Sequence, residues 1–509
     1  MKQYPMEEIR NVCLVSGGHA GKTSLGEACL HMAGASDRWG KVTDGNTVSD
    51  FDSEEIKRSI SISTALLPFE WNDCKINLLD TPGYFDFAGE ALEGIRVADA
   101  ALIPVSGKSG VSVGTEKAWN YAQERGIPSV IFINKMDDPN AHYTQVIQQL
   151  RESFGTAVMP FVAPVKEEGV LTGFVDLVHQ KAMSGTGVTL TDCPMPAWLE
   201  DGIEKFMDMI KETIAVTEDS LMEKYFAGEE FTQEEIVKAV KNGVRSGAIV
   251  PVFCGSALTG GGVSLLLDAI VKYMPAPSDT VSGVAPGSEE PIELGAQDGL
   301  SALIFKTVAD PYVGKLSYFR VFSGTMKPDS QVLNATTGEM EKIGRLYLVR
   351  GKKQEEAASV GAGDIGAVTK LAKAKTGDTL CSAAKPIQLP GISFPAPAIS
   401  LAVLPKEKGD EEKISAGLHK LLEEDPTLQL HTDKETKQLL LSGQGEQHLE
   451  ITVSKLKAKF GVSVDLIEPK IAYREAIRKK VKVEGKHKKQ SGGHGQFGHV
   501  WIEFEPGQE

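Results

Sequence analysis

Four short stretches carry residue types that could handle a nucleotide. The first, Ser16-Gly17-Gly18-His19-Ala20-Gly21-Lys22-Thr23, lies between the apolar run Val12–Val15 and a helical pattern that starts at about Lys22. Small residues in such a turn let backbone N–H groups curl around phosphates, and the following helix N-terminus adds positive potential. Lys22 can reach the outer phosphates, and Thr23 can offer its hydroxyl to Mg2+. The pattern G-x-x-x-x-G-K-[ST] begins here with Ser16 in place of its first glycine. Alone, the stretch reads equally well as an ordinary glycine-rich turn.

The second stretch, Asp80-Thr81-Pro82-Gly83, follows the apolar run Ile76–Leu79. A carboxylate at a strand's end can hold Mg2+ through water, and Gly83 can bring a backbone N–H to a terminal phosphate with no side chain in the way. The bland reading is an Asp/Pro/Gly turn. The third, Asn134-Lys135-Met136-Asp137, follows Val130–Ile133. A carboxylate in the plane of guanine accepts from N1–H and from the N2 amine together. Adenine offers neither donor and is rejected. The Lys135 stem can cover one face of the base. In the fourth, Ser256-Ala257-Leu258, the Ala257 N–H could meet guanine O6; that tripeptide by itself carries no signal. The four stretches occur in order, each after a predicted strand, which is where open α/β sheets bind ligands.

The elements that must position them alternate. Strand patterns at Val12–Val15, Lys75–Leu79, Ala100–Val105, Val130–Ile133 and Val250–Phe253 interleave with helical ones at Ser112–Glu124 and after Val263. That rhythm predicts an α/β domain with a largely parallel sheet over residues 1–280. It breaks between about Thr156 and Ser246, where strand-like pieces (Met159–Val162, Gly173–Leu177) precede three helical stretches, the last capped by Thr232. This predicts an insertion. Pro275–Pro277 and Ser282–Pro291 read as a linker. Leu300–Leu380 reads as a small β-barrel within 284–389. After a second linker, Pro390–Pro397, residues 395–468 read as an α+β module: helices near Glu411–Glu423 and Glu446–Phe460, and a hairpin around Lys434–Leu441. From 469 another module begins.

At 509 residues the chain exceeds what one hydrophobic core organises. No apolar run approaches the ~20 residues of a membrane span, and Met1–Asn11 has no signal-peptide core. The formal charge of −15 argues against a protein that simply coats nucleic acid. Against that background Arg474–Lys489 is conspicuous: Arg474, Arg478, Lys479, Lys480, Lys482, Lys486, Lys488 and Lys489 face only Glu475 and Glu484. It reads as a phosphate-contacting patch or as a solvated charged strand. His487, His494 and His499 match no metal-ligand spacing. The six cysteines, Cys13, Cys29, Cys74, Cys193, Cys254 and Cys381, form no C-x-x-C pair and read as reduced thiols.

With these motifs the chain resembles the translational GTPases, and within them elongation factor G. Arg58-Ser59-Ile60-Ser61-Ile62, inside Gly45–Ser63, resembles the first switch, where the family has Arg-Gly-Ile-Thr. Glu423–Pro426 and Ser442–Leu449 resemble the third domain. Ile471–Glu475 and Lys489–Gly498 resemble the entry to the fourth. The resemblance implies a P-loop GTPase domain with an inserted subdomain, a β-barrel, a ferredoxin-like α+β domain, and the start of a fourth domain, in a chain that stops early. It implies a ribosome-dependent GTPase, cytoplasmic and monomeric, that binds GTP or GDP with Mg2+ and contacts ribosomal RNA and proteins. It makes Ser61 a hydroxyl ligand sensing Mg2+ and the γ-phosphate, beside Thr23 and, through water, Asp80.

Three departures from the family stand out. His19 occupies the place of an Asp, and Ser59 and Ser61 those of Gly and Thr. Tyr84 follows Gly83 where the family has the histidine that orients the attacking water. A phenol can hydrogen-bond water but shuttles protons poorly near neutral pH, so hydrolysis is expected to be slow. Three alternatives stay open: a ribosomal protection factor, a recycling factor, and a GTP-binding regulatory protein that hydrolyses little.

Overall fold

A computed structural model describes residues 2–195, 200–278, 280–310 and 314–507. Seven strands form the first sheet. In spatial order they are Ala65–Trp71, Cys74–Asp80, Ile9–Leu14, Ala100–Ser106, Ser129–Asn134, Val250–Cys254 and Val158–Pro160. Only Ala65–Trp71 runs antiparallel to its neighbour. The central strands are buried along their whole length; Ala100–Ser106 and Ser129–Asn134 read accordingly as apolar runs, whereas Ile9–Leu14 and Cys74–Asp80 also bury Arg10, Asn11, Lys75 and Asn77. Their register aligns the ends that matter: Leu14 pairs with Asp80, Ser106 with Asn134, and Cys254 with Ile133. The chain crosses from one side of Ile9–Leu14 to the other between Cys74–Asp80 and Ala100–Ser106, leaving a crevice above the strand ends.

The insertion contains a four-stranded antiparallel meander, Val162–Glu167, Val170–Asp176, Lys181–Ser184 and Thr191–Cys193. The helices Glu200–Ala215, Asp219–Ala227 and Gln233–Ser246 follow. Thr232 and Glu235 close a reciprocal capping box on the last helix. The expected strand Met159–Val162 divides in two. Val158–Pro160 pairs with Val250–Val252 in the main sheet, and Val162 opens the inserted one.

The expected linker Ser282–Pro291 is instead a hairpin: Thr280–Val284 pairs with Pro291–Gly295. Its proline and glycine belong to the turn between the strands, where the Ala285 N–H donates to the Glu290 carbonyl. The bridge Val284–Gln388 anchors it to the far end of the next domain. There an eight-stranded antiparallel sheet wraps round a core of Ile304, Phe319, Val321, Met326, Leu346 and Leu380.

The third domain follows a β-α-β-β-α-β order. Its strands Gln429–Thr432, Leu439–Gly443, Ile399–Pro405 and Val464–Ile467 lie side by side under helices Glu411–Glu424 and Glu446–Phe460. Its hairpin turns at Asp433–Gln438, where the Asp433 carboxylate accepts from the Glu435 and Thr436 N–H groups. The expected Lys434 therefore lies in the turn rather than a strand. An exposed hairpin, Val481–Lys489 with Gln496–Phe504, follows. All six cysteines are free thiols. Among the described residues no helix is long and apolar enough to cross a membrane.

Candidate nucleotide site

The phosphate loop leaves strand Ile9–Leu14 and enters helix Lys22–Met32 through Gly21, whose φ is +90°. A side chain at Gly21 is excluded twice, by that backbone and by the Asn134 amide, 2.4 Å from where a Cβ would stand. Ser16 is accommodated in place of glycine because its hydroxyl donates to the Pro104 carbonyl at 2.7 Å. Gly114, at the start of helix Val113–Arg125, backs the loop: a Cβ there would lie 2.2 Å from the Gly17 Cα. Nothing in the local sequence marks that glycine as part of the site.

Lys22 is buried, and its ammonium donates to the carbonyls of Ser16 at 3.0 Å and Gly17 at 2.9 Å. Burial pulls its pKa down to about 8, against the opposing pull of Asp80 and Asp50. Asp80 closes strand Cys74–Asp80, fully enclosed, and among the described residues neither of its carboxylate oxygens has a hydrogen-bond partner within normal geometry. Burial raises it to about 7 and the Asp50 charge adds to this, while Lys22 and the Thr23 and Ser49 hydroxyls pull it down. The Thr23 and Ser61 hydroxyls lie 3.0 Å apart. Asp50 Oδ1 and Ser49 Oγ are likewise buried without partners among the described residues.

Buried oxygens left unpaired cost free energy unless a ligand satisfies them. Two carboxylates and three hydroxyls converging beside Lys22 form an all-oxygen donor set of the kind Mg2+ takes with phosphates. The residues therefore fit the ion. Asp50 and Ser49 were not singled out from sequence; their signal was only a carboxylate and a hydroxyl within the switch-like segment Gly45–Ser63.

That segment is shaped by the short helix Ser53–Arg58, which carries an Asp52/Glu55 capping box. Glu55 is buried and also accepts from the Ile62 and Ser63 N–H groups, at 3.0 and 3.1 Å. Burial, then the Asp50 charge, raises its carboxyl to about 8. Ser59 ends the helix at φ +55°, a conformation that suits glycine better.

Thr81 ties the next loop to the first strand, its N–H and hydroxyl both donating to the Leu14 carbonyl. Gly83 is pressed against the phosphate loop: a Cβ would stand 2.4 Å from Lys22 Nζ and 2.7 Å from the Gly18 nitrogen. The Tyr84 ring lies over Gly18, and its hydroxyl is 3.0 Å from His19 Nε2.

At the base-reading end, Asn134 braces the loops. Its Nδ2 donates to the Ala20 carbonyl at 3.0 Å, and its Oδ1 accepts from Lys135 N at 2.8 Å and Ala257 N at 2.9 Å. The Ala257 N–H expected to meet guanine O6 is thus engaged by Asn134, because Nδ2 turns toward the phosphate loop and leaves Oδ1 facing Ala257. Ser256 Oγ takes the N–H groups of Leu258 and Thr259, each at 3.2 Å. Leu258 itself is 64% exposed. Lys135, at φ +64°, stretches its ammonium to the His19 carbonyl at 2.7 Å. Asp137 is exposed, and no hydrogen bond occupies its carboxylate among the described residues.

Comparison with known families agrees with this layout. Residues 7–276 match the elongation factor Tu GTP binding domain, residues 299–383 elongation factor G domain 2, residues 394–468 its domain III and residues 469–509 its domain IV. The chain belongs to the elongation factor G-like translational GTPases. A crystal structure of a protein from Thermus thermophilus is similar over 99% of this chain and 74% of its own, with 35% identity and a TM-score of 0.85. For a translational GTPase, the contacts between the nucleotide domain and its neighbours matter as much as the pocket. Ile60 and Ile62 of the switch-like segment, Phe87 beyond Tyr84 and Ile451 of the third domain share one apolar cluster. The Asp86 carboxylate accepts from the His448 N–H at 3.3 Å.

Proposed function

We propose that this chain is a ribosome-dependent GTPase of translation elongation, a GTP-driven switch of the translocase type acting in the cytoplasm. In this reading the loop from Ser16 to Gly21 and Lys22 bind the phosphates. Thr23 and Ser61, with Asp80 through water, would hold Mg2+, and the buried Asp50 would support them. Bound there, Mg2+ would neutralise charge on the phosphate oxygens. Asp137 reads the guanine donors, Lys135 covers the base, and Asn134, Ser256, Ala257 and Leu258 shape its pocket. Gly83 and Ser61 report the terminal phosphate, and Tyr84 orients the attacking water.

The observation that carries this reading is the cluster of Ile60, Ile62, Phe87 and Ile451. A loop that moves when the terminal phosphate leaves cannot shift there without disturbing the third domain. The test is multiple-turnover GTP hydrolysis with and without purified ribosomes, beside a homologue carrying the family's histidine. Ribosomes are expected to stimulate hydrolysis. The rate should fall below the homologue's by up to roughly 10²–10⁴, the usual cost of losing an acid–base group. No stimulation contradicts the ribosomal role; an undiminished rate contradicts slow hydrolysis.

Tyr84 also favours a second reading, a GTP-bound regulatory protein that hydrolyses little. Single-turnover hydrolysis on ribosomes separates the two, since the regulatory protein would leave GTP intact.

A further inference from the structure

His19 and Tyr84 were met in the sequence as two unrelated departures, 65 residues apart. In the structure they touch. The Tyr84 hydroxyl and His19 Nε2 are 3.0 Å apart, and the rings meet edge to face with centroids 5.9 Å apart. Among the described residues neither side chain has another hydrogen-bond partner. We infer that His19 is a positioning residue for Tyr84, and that the hydrogen-bonded pair orients the attacking water in place of the family's histidine without supplying its proton transfer. This rests on the reading of Tyr84 as the residue that orients the attacking water.

The geometry supports positioning in three ways. His19 stands at φ +63°, a left-handed conformation uncommon for residues with a side chain. Its carbonyl is held by the Lys135 ammonium at 2.7 Å, so the base-reading loop helps fix the peptide that aims the imidazole. The Tyr84 ring rests on Gly18, with ring carbons 3.4 to 3.8 Å from where a Cβ would stand, so a larger residue there would crowd the ring. The phenol is thus fixed by a surface beneath it and an imidazole at its tip.

With imidazole Nε2 accepting the phenol proton, the lone pairs of Tyr84 Oη are free to accept a hydrogen bond from water. That water attacks the γ-phosphorus through its oxygen. The bond from phosphorus to the β–γ bridging oxygen breaks, with its electron pair going to the GDP leaving group. Both water hydrogens depart on the phosphate as H2PO4−. GTP and water thus become GDP and phosphate with no net proton taken by the protein. The pair orients the water but takes no proton, so hydrolysis stays slower than with a histidine that can.

The test is single-turnover hydrolysis at saturating GTP, with and without ribosomes, alongside titrated GTP and GDP affinities. The variants are H19G, H19Q, Y84F and H19G/Y84F. Glycine adopts the backbone of position 19 without strain, and unchanged GDP affinity certifies an intact phosphate loop. Loss of one orienting hydrogen bond should slow hydrolysis about tenfold in H19G and in Y84F. The double variant should also be slowed about tenfold rather than a hundredfold. H19Q, which retains an acceptor of similar reach, should recover most of the rate. Affinities should stay within about twofold throughout, placing the effect on the chemical step.

Multiplying effects in the double variant, or an H19G loss that appears in GTP affinity instead of rate, overturns the inference. A slow Y84F beside an unchanged H19G also removes it, yet leaves the reading of Tyr84 intact. An unchanged Y84F removes both.

Discussion

Lys306, on the first long strand of the barrel, is ion-paired with Glu90, on the helix that follows Tyr84, inside the seam between the first two domains. The same ammonium donates to Ser63 Oγ at 2.8 Å and lies 3.7 Å from the buried Glu93 carboxylate. Glu90 also accepts from the Thr64 N–H at 2.6 Å and from the Ser63 hydroxyl at 3.0 Å. One cation therefore joins the end of the switch-like segment Gly45–Ser63, the helix Ala88–Arg96 and the barrel. Burial works against the charge on Lys306, but Glu90 and Glu93 outweigh it and raise its pKa. Removing it in K306A leaves buried carboxylates unpaired, which costs about 3–5 kcal/mol. The expected result is a clear drop in the unfolding midpoint of the transition that reports these two domains; an unchanged midpoint contradicts this account of the seam.

Gly83 predicts a separation of binding from hydrolysis. A methyl group there meets the Gly18 backbone at 2.7 Å, and backbone yields less readily than the tip of Lys22. G83A should push the loop away from the terminal phosphate and slow hydrolysis by about a hundredfold, the usual effect of roughly 1 Å of misplacement. GDP affinity should remain close to the parent's. Equal loss of GDP binding would mean that Gly83 shapes the whole pocket rather than its terminal end.

The third domain carries a pH-sensitive contact. His448 Nε2 and Asp425 Oδ2 are 2.7 Å apart, and Thr427 donates to the other carboxylate oxygen. Burial opposes ionisation of Asp425, but the His448 hydrogen bond and charge, with those of Thr427, prevail and hold its carboxyl below the ordinary range. A depressed carboxyl stabilises the fold above the unfolded-chain value of about 4 and loses that contribution as pH falls through the lower, folded value. D425N should therefore cost about 1 kcal/mol near pH 7, and its melting curve should converge on the parent's as pH falls below the unfolded-chain value and through the lower, folded one. A constant difference across that range contradicts the assignment.

On the terminal hairpin, Lys482, Lys486 and Lys488 alternate along one strand and are exposed. Lys480 is taken up by Glu503 and Glu505 and is left out. If these three contact ribosomal phosphates, K482A/K486A/K488A should flatten the salt dependence of ribosome binding by about two to three in the log–log slope. An unchanged slope assigns the lysines to solvation alone.

The parallel core was readable where strands buried on both faces carry apolar runs, as at Val12–Val15, Ala100–Val105 and Val130–Ile133, and where a run is followed by a residue that could do chemistry, as at Asp80 and Asn134. The hairpin Thr280–Gly295 was not. Its inward residues, Ile292 and Leu294, are too few to set a period, and its turn composition looks like a linker. The three-residue strand Val158–Pro160 is too short to show a pattern and is defined only by its partner Val250–Val252. In the site, the motif residues announced themselves by type and spacing. Asp50 matters because folding buries it beside Asp80, and the His19–Tyr84 contact exists only once two distant loops meet; neither fact has a local signature. The Ala257 N–H donates to Asn134 Oδ1, a partner set by the rotamer of Asn134 and not by local sequence.

In the proposed function the pocket grips phosphates and chooses its purine through the exposed Asp137 carboxylate. Isothermal titration of the chain with GDP and with ADP, both in Mg2+, tests it most directly. The expected result is saturable GDP binding, ADP weaker by at least about 10³, and loss of that preference in D137A. Equal affinity for the two nucleotides, or no affinity for GDP, would contradict the account.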